Sequence, residues 1–287
     1  MNAIHVGLIA TLSLASTTVA EHGAVNLLPN IATAQSSSYV ETPSGAGDLY
    51  FTTDLGFNWV PEIGVKDLNF ALGGVNILQI TDVDLVMDQG MRWDIGIGYQ
   101  FNDNFSVRLE TGIINNSFGS LSGTAVDDRG LISGVPGASA NFALSDTSGS
   151  LTQVPIMFAG IYEFNMGDSS RADKGAGASW RFKPYIGGGI GTVYIDSDAN
   201  IDNNALGFGG NDWVFGYQFM AGLEYEIADN WFLSVSYRFL GLTEATLDEL
   251  KIGGVPVSQL SLDLDKTYVK IEDVYNHSLQ FGLRIEF

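Results

Sequence analysis

The chain has no cysteine among its 287 residues and only three histidines, His5, His22 and His277. The lack of cysteine excludes disulfides, thiolate metal sites and a cysteine nucleophile. Lysine and arginine number 13 against 33 acidic residues, which gives a formal net charge of −20. Because a nucleic-acid phosphate backbone is bound by basic side chains, this charge balance argues against a nucleic-acid partner.

Long apolar runs are also missing after residue 20. A membrane-spanning helix needs about 18 apolar residues in succession, so a helical membrane protein is not expected. The N-terminal stretch "IHVGLIATLSLASTTVA" is apolar and ends in Val19 and Ala20. This pattern predicts a signal peptide over 1–20, and therefore export. Residues 21–46 lack clear periodicity, and we interpret them as a periplasmic tether.

What the sequence does contain is alternation. In the terminal stretch "NHSLQFGLRIEF", five apolar residues from Leu279 to Phe287 alternate with more polar ones. A period of two predicts a β-strand with one apolar face and one polar face. Eight such segments recur along the chain, at about 47–60, 91–101, 105–114, 152–164, 180–194, 212–227, 231–240 and 277–287.

The connections between these segments alternate in length. Segments two and three are joined by "NDN" and segments six and seven by "ADN", which are short turn signals. A moderate polar stretch links segments four and five, and the remaining connections are long, at 61–90, 115–151, 195–211 and 241–276. An antiparallel meander produces this alternation when all long loops lie at one end. In outer-membrane barrels that end faces the outside of the cell.

The residues of the eight segments separate by parity into two faces. One face holds the large apolar side chains. The other holds most of the glycines and these charged residues: Asp54, Arg92, Asp94, Arg108, Glu110, Glu163, Arg181, Lys183, Glu224, Glu226, Arg238, Arg284 and Glu286. The interior of an eight-stranded barrel is only wide enough for side chains to fill it, so the glycine-rich charged face must point inward. The apolar face must then meet lipid, because in water it would aggregate. We therefore predict an all-β fold over 47–287, an eight-stranded antiparallel up-and-down transmembrane β-barrel.

The tryptophans support a membrane setting. All five are predicted at strand ends on the outward face: Trp59, Trp93, Trp180, Trp213 and Trp231. Amphipathic rings favour the membrane–water interface, so these residues are interpreted as an aromatic girdle.

Five stretches taken in order resemble a known family: "MRWDIGIGYQFNDNFSVRLETG", "QVPIMFAGIYEF", "KPYIGGGIG", "FGYQFMAGLEYEIADNWFLSVSYRF" and "HSLQFGLRIEF". The chain resembles the small eight-stranded outer-membrane β-barrels of the OmpA/OmpW and opacity-protein type, a porin-like group. The resemblance implies the outer membrane of a Gram-negative-type bacterium. It also implies outer-membrane lipid and the outer-membrane assembly machinery as partners. In that family a terminal Phe such as Phe287 resembles the signal read by the assembly machinery.

The inward charges nearly balance, with six basic residues against seven acidic ones. A near-neutral interior predicts a lumen plugged by paired charges rather than an ion-selective ring. Lys183 and Glu224 are equally far from the 195–211 loop and should face each other across neighbouring strands. We therefore predict a cluster that blocks the periplasmic half of the lumen, formed by Glu163, Arg181, Lys183, Glu224 and Glu226.

Signals for a metal or cofactor are weak. The stretch "DSDANIDNN" places Asp196, Asp198, Asn200 and Asp202 at alternate positions, similar to the start of a calcium loop. However, Ile201 stands where such a loop has Gly, and no Glu follows at position twelve. The "GGGIG" stretch lies inside a strand segment and lacks the strand–loop–helix context of a phosphate site. We expect no cofactor and no specific metal site, only divalent cations attracted to the acidic loops.

The leading functional hypothesis is a structural, adhesive or environment-facing surface barrel. The alternative is passive transport of small or hydrophobic solutes, as in the OmpW-like branch. A lipid-modifying enzyme is a third hypothesis, suggested by His277 beside Ser278. Adjacent strand residues point to opposite faces and cannot form a base–nucleophile pair, so we expect no enzyme unless a partner such as Ser234, Ser236 or Asp54 takes part.

Overall fold

The computed structural model describes residues 48–66, 68–72, 75–130, 133–145, 147–164, 182–201, 206–252, 254–256 and 268–287. The predicted signal peptide and tether, Trp180, Arg181 and Asp202 lie outside these residues. Within the described ranges, no helix has the length and apolarity needed to cross a membrane.

The described chain forms sixteen strands that join in one sheet. Their bounds are β1 Asp48–Trp59, β2 Ile63–Val65, β3 Leu68–Leu72, β4 Val75–Met87, β5 Gly90–Asn102, β6 Phe105–Asp127, β7 Ala138–Leu144, β8 Thr147–Glu163, β9 Phe182–Ile201, β10 Leu206–Ala228, β11 Trp231–Leu242, β12 Ala245–Leu247, β13 Glu249–Ile252, β14 Val255–Pro256, β15 Val269–Ile271 and β16 Val274–Glu286.

Eight long strands close into a ring. Antiparallel pairing runs β1–β5–β6–β8–β9–β10–β11–β16 and returns to β1. The first and last strands pair from Tyr50 opposite Glu286 to Trp59 opposite His277. The ring leaves none of its strands with a free edge along the paired stretch, which a sheet surrounded by hydrocarbon requires. All eight predicted strand segments are confirmed.

The two faces of the ring point as predicted. Outward apolar side chains are highly exposed, for example Ile97 at 63% and Phe219 at 60%. Inward charged side chains are buried, with Arg238 at 0% and Glu163 at 2%. The glycines on this face make room for large neighbours. A Cβ atom at Gly98 would overlap the Tyr50 ring, and one at Gly222 would overlap the Tyr185 ring.

The predicted long loops differ from the observed structure. Residues 61–90, 115–151, 195–211 and 241–276 are largely β-strand rather than irregular loop where they are described. Strands β6 and β10 each contain 23 residues, whereas a membrane-crossing strand needs only about 9–11. The excess length lies beyond the predicted lipid-facing part, at the end of the ring opposite the short turns. We call these strand ends, together with the shorter strands that pair with them, the loop-end extension.

The extension consists of two sheet regions. One has the order β7–β6–β4–β2–β15–β12, with β3 also paired to β4. The other continues β8, β9 and β10 and adds β13 and β14. An apolar core contains residues of both regions, such as Leu121 and Val83 from the first and Ile201 and Phe208 from the second. The rings of Phe118 and Phe208 meet across it, with centroids 6.0 Å apart.

Candidate functional site: the lumen and the loop-end extension

Near the short-turn end, the lumen is organised by one arginine of β16. The Arg284 guanidinium donates to Glu163 at 2.6 Å, to Glu224 at 3.2 Å and to the Gln100 amide oxygen at 2.7 Å. It also forms an ion pair with Glu286 at 2.8 Å. Its guanidinium carbon lies 4.1 Å from the centroid of the Tyr50 ring. This arrangement ties four carboxylate or amide groups from different strands to a single cation.

This cluster corrects part of the sequence-based prediction. Lys183 and Glu224 are register partners, as expected. The described cation that binds Glu224 is nevertheless Arg284, while the Lys183 ammonium lies over the Phe232 ring, 4.4 Å from its centroid. Glu226 is only partly buried and is paired with Phe232, and Arg181 lies outside the described residues. Strand register predicts which residues are neighbours on adjacent strands. Arg284 of β16 instead binds Glu163 of β8, a strand on the other side of the lumen.

The middle of the lumen holds a second, larger charge network. The fully buried Arg238 guanidinium donates to Asp54 at 3.0 Å and to Glu110 at 2.9 Å, and lies 3.7 Å from Asp94. Arg92 donates to Asp94 at 2.7 Å, and Arg108 pairs with Glu110 at 2.8 Å. Three arginines therefore face three carboxylates, which leaves the buried network electrically neutral.

Uncharged amide side chains bind the carboxylates of this network, and further amides lie between the network and the loop-end extension. Gln280 donates to Asp94 at 2.7 Å, and Gln218 donates to Glu110. Closer to the extension, Asn58 donates to Asn116 at 2.7 Å and to Asn276 at 2.9 Å. Amides can serve as donor and acceptor together, so this layer satisfies itself without charge.

Beyond the amides, toward the loop-end extension, the side chains inside the ring become apolar. Each inward face changes in the same direction: β1 runs from Asp54 through Asn58 to Val60, and β16 from Gln280 through Asn276 to Val274. The core of the extension has a small, partly open apolar cavity of about 20 Å³, lined by Val65, Ile80, Val83, Leu121, Phe142, Phe208 and Leu250. That volume is close to the space of one water molecule. From the short turns to the loop-end extension, the interior is thus closed first by ion pairs, then by amides and then by apolar side chains.

One wall of the lumen is less polar than predicted. Ala159, Ile161, Tyr185 and Met220 form a buried apolar cluster inside the ring. The terminal Arg108 nitrogen also contacts the Met220 sulfur at 3.1 Å. These residues were missed because the apolar face was assigned outward throughout. Each lies on the inward parity of its own strand, as Tyr185 does with Gly187 on β9 and Met220 does with Gly222 on β10, and this position is the available signal.

Four of the five predicted girdle tryptophans lie in the described structure, and all four are exposed on the outward face: Trp59, Trp93, Trp213 and Trp231. Trp59 lies at the end of β1 and Trp231 at the start of β11, whereas Trp93 and Trp213 lie inside their strands. Trp213 contacts Tyr194, with ring centroids 5.2 Å apart. The predicted position at a strand end is therefore wrong for Trp93 and Trp213, and the role of all four rings in anchoring stays a prediction.

His277 lies on the outward face among aromatic rings. Its Nδ1 atom is 2.7 Å from the Tyr237 hydroxyl, and its ring stacks on Trp59 at 6.1 Å. Ser278 points into the lumen, where its hydroxyl donates to Asn58 at 2.7 Å. The two residues therefore lie on opposite faces, as the strand geometry requires. The partners considered in sequence, Ser234, Ser236 and Asp54, are inward as well and do not meet His277.

The remaining predicted positions are spread over the surface. Asp196, Asp198 and Asn200 alternate along the outer face of β9, so neighbouring members are separated by about 7 Å and do not converge. Asp198 instead lies 3.4 Å from the Lys251 ammonium. Among the described residues, no group of three or more acidic or histidine side chains is placed to hold a metal ion. Phe287 follows β16 and is 77% exposed, and its role in assembly stays a prediction.

A surface clasp joins the connection between β11 and β12 to β15 and to the residue after β2. Glu244, just after β11, accepts hydrogen bonds from Lys270 of β15 at 2.6 Å and from Lys66 after β2. These hydrogen bonds, together with attraction by the two ammonium groups, lower the pKa of the Glu244 carboxyl to about 2. The same carboxylate raises the pKa of Lys270. The clasp is therefore charged on both sides across the whole neutral range.

The closed ring, its apolar outer face and its filled polar interior can be compared with known proteins. The family described as outer membrane protein beta-barrel domain matches residues 8–257. The chain belongs to this family. Its predicted fold class, an eight-stranded antiparallel transmembrane barrel, and its location in the outer membrane are thereby confirmed.

Solved structures of outer-membrane and surface proteins align with most of this chain at low sequence identity. The outer membrane protein OprG from Pseudomonas aeruginosa has a TM-score of 0.50 and 16% identity, covering 84% of this chain and 97% of that chain. The outer membrane protease OmpT from Escherichia coli has a TM-score of 0.46 and 13% identity, covering 86% and 98%. Neisserial surface protein A has a TM-score of 0.38 and 14% identity, covering 83% and 97%. No curated protein matches the chain. At 16% identity the likeness to OprG concerns the fold alone, and the two structures with lower TM-scores carry no argument.

Proposed function

We propose that this protein is a closed surface barrel that acts through contacts made by its acidic loop-end extension, and that it does not conduct solute. The observation that carries the proposal is the interior, which is filled by buried ion pairs and amides and is capped by an apolar core. An eight-stranded ring has space for side chains or at most one small ligand.

The charge network and the apolar core of the extension close the interior one after the other. Opening the charge network would leave carboxylates such as Asp54 and Glu110 unpaired in a poorly hydrated space, which is costly. Opening the extension would expose its apolar core to water, against the hydrophobic effect. Removal of one seal should therefore leave the other in place.

Planar-bilayer recording tests the proposal directly. Purified wild-type protein should give no steady porin-like conductance, with a porin reconstituted in parallel as the positive control. Arg238→Gln or Glu110→Gln should give at most small, flickering openings because the apolar cap remains. Large, stable ohmic steps from the wild type would overturn the proposal.

The proposal also requires the extension to face outward from the cell. A cysteine at Ser122, in the extension, should react with a membrane-impermeant thiol reagent on whole cells. A cysteine at Asp229, in the short turn between β10 and β11, should react only after the outer membrane is permeabilised. The reverse pattern would place the extension in the periplasm.

Passive transport of hydrophobic solutes is the second candidate, and the apolar interior of the extension favours it. The cavity of about 20 Å³ would have to enlarge to admit a solute. Saturable binding of an apolar fluorophore to the purified barrel, abolished by Leu121→Arg, would move this candidate to first place. Lack of binding alongside silent bilayers would favour the closed surface barrel.

The proposal includes no catalytic step. His277 has an aromatic partner rather than a nucleophile, since its nearest polar contact is the Tyr237 hydroxyl. A phospholipid and lipopolysaccharide hydrolysis assay with wild type and His277→Ala tests this part. Product formed by the wild type and lost in the variant would contradict it.

A further inference from the structure

Strand β7 lies at an open edge of the extension. Among the described residues it pairs only with β6, in an unbroken register from Leu121 opposite Leu144 to Asp127 opposite Ala138. In an antiparallel pair every second residue turns its N–H and C=O groups away from the partner strand. The outer edge of β7 therefore offers a row of backbone donors and acceptors.

This edge lacks the usual protection. Natural edge strands are blunted by charges, prolines, bulges or short length. The seven residues of β7, "ASANFAL", include no charge and no proline, and their register shows no bulge. By contrast, the edge strand β14 in the other sheet region has only two residues and ends in Pro256.

The inner face of β7 leaves part of the core uncovered at the same edge. Phe142 and Leu144 are only partly buried, yet both pack against the apolar core of the extension. Ala140, on the same face, is exposed. A further strand beside β7 would place alternate side chains next to these residues and bury them.

Several hydrogen bonds hold the described residues of the turn that leads into β7. The Asp127 carboxylate accepts hydrogen bonds from the Ser133 N–H at 2.7 Å and the Ser133 hydroxyl at 2.9 Å. The Gly137 N–H donates to the Asp127 carbonyl at 2.7 Å. Gly130, Gly134 and Gly137 all have φ near +70° to +80°, a conformation that favours glycine. Contacts that exist before binding reduce the conformational freedom that these residues lose when a partner binds.

The charge of the protein indicates which kind of segment binds at the β7 edge. The protein carries a net charge of −20, and the outer face of the extension includes Asp196, Asp198 and Glu272. The sheet region that contains β7 itself carries Asp82 and Asp84 on the outer face of β4. A second copy would bring the same negative surface, whereas a basic segment would be attracted. We propose that the β7 edge binds an extended, basic segment of another protein by strand addition. Alternate apolar residues of that segment pack beside Phe142 and Leu144. This inference rests on the proposed function, in which the extension acts by contact.

The probe is a synthetic peptide of about ten residues, the span of β7 with flanks, alternating valine and lysine. Binding to the purified barrel in lipid nanodiscs is followed by fluorescence anisotropy, and hydrogen exchange locates it. The peptide should slow exchange in β7. The same peptide N-methylated along one edge should not bind.

Paired substitutions separate strand addition from charge attraction. Ala140→Lys and Ala140→Glu both place a charge at the edge and should each weaken binding about tenfold, as expected when one or two main-chain hydrogen bonds fail to form. Ser122→Lys and Ser122→Glu are the matched controls, because Ser122 lies on β6 between two paired strands. Each control should change binding by less than about twofold, since rim charges contribute little.

Three outcomes would overturn the proposal: tighter binding to Ala140→Glu with weaker binding to Ala140→Lys, unprotected β7 amides, or equal binding of the N-methylated peptide. Self-association protecting β7 would assign the edge to a second copy instead. Such failures leave the bilayer recordings unaffected, so they are distinguishable from failure of the proposed function.

Discussion

Strand β9 has opposite polarity in its two halves. In the half nearer the short turns, Ile186 and Ile190 are exposed, while Gly187, Gly189 and Gly191 face the lumen. In the half that enters the extension, Val193, Ile195 and Ile201 are buried, and Asp196 and Asp198 are outside. The strand continues without interruption, yet its apolar residues move from the outer face to the inner face.

The difference follows from what surrounds each half. Outside the first half is hydrocarbon, so apolar side chains gain nothing by moving inward and the interior needs only to satisfy its polar groups. Outside the second half is water, so apolar side chains are driven inward as in a soluble protein. The hydrophobic effect therefore stabilises the extension directly, whereas the membrane part depends on paired charges and closed backbone hydrogen bonding.

The largest effect should come from breaking the charge network. Arg238→Ala removes the cation shared by Asp54 and Glu110 and leaves both carboxylates buried, so we expect a loss of about 3–5 kcal/mol. Urea unfolding in lipid vesicles measures this loss. Lys251→Ala, which removes a partly exposed ion pair of the extension, is the control and should cost less than about 1 kcal/mol. Similar costs for both variants would contradict the network's importance.

The second prediction uses one substitution in both halves of β9. Ile195→Ala should cost about 2–5 kcal/mol because it leaves a cavity in a packed core. Ile190→Ala should cost less than about 1 kcal/mol because fluid lipid fills the space and only the transfer difference is lost. Unfolding free energies in the same vesicles compare them. Equal losses of unfolding free energy in the two variants would contradict the proposed difference between the two halves of β9.

The third prediction concerns the pH dependence of the Glu244 clasp. The folded carboxyl has a pKa of about 2, below its ordinary value of 4.5. Its contribution to stability is therefore present above the ordinary pKa and is lost as pH falls through the folded value. Lys270 has a raised pKa, so its contribution is lost only when pH rises above that value. The protection of β12 and β15 against hydrogen exchange, measured relative to the intrinsic amide exchange rate at each pH, should fall below about pH 4.

Glu244→Gln provides the control for the clasp. Without the carboxylate, the protection of β12 and β15 should already be lower at pH 7, and the additional loss of protection in acid should disappear. If the variant keeps the wild-type acid response, another group is responsible. Membrane-part strands such as β1 should respond equally in both proteins.

The smallest effect is expected at the aromatic positions. Trp213→Phe and Trp231→Phe keep a ring but remove the indole N–H, and each should change stability by less than about 1 kcal/mol. Quenching of single-tryptophan variants by lipids brominated at defined depths tests their location. Trp59 and Trp231 should both be quenched best by shallow labels. Strong quenching by labels at the bilayer centre would contradict an interfacial position.

Local pattern was sufficient to predict the eight ring strands and the inward position of charges such as Asp54, Arg92 and Arg238. Both follow from a period of two and from the volume of a small barrel. Contacts across the lumen were not predictable in this way. Arg284 and Glu163 are separated by 121 residues, and nothing in either strand's alternation specifies how far each side chain reaches.

The extension was missed for a different reason. Its strands also alternate, but with the apolar residues on the parity that faces inward, as in Val193, Ile195 and Ile201. Interruptions by Gly and Asp made the segments resemble loops. A change of apolar parity within one continuous strand is a usable signal, and it marks where the surrounding solvent changes from lipid to water.

The pairing of β1 with β16 has a consequence for the order of folding. Asn58 binds Asn276, which lies 218 positions further along the chain, so the ring cannot close before β16 has been delivered. The entropy cost of joining such distant segments grows only slowly with length, but local hairpins form long before it is met. Closure of this pair is therefore expected to be the last and slowest step. Until then, two unpaired strand edges must be shielded from aggregation.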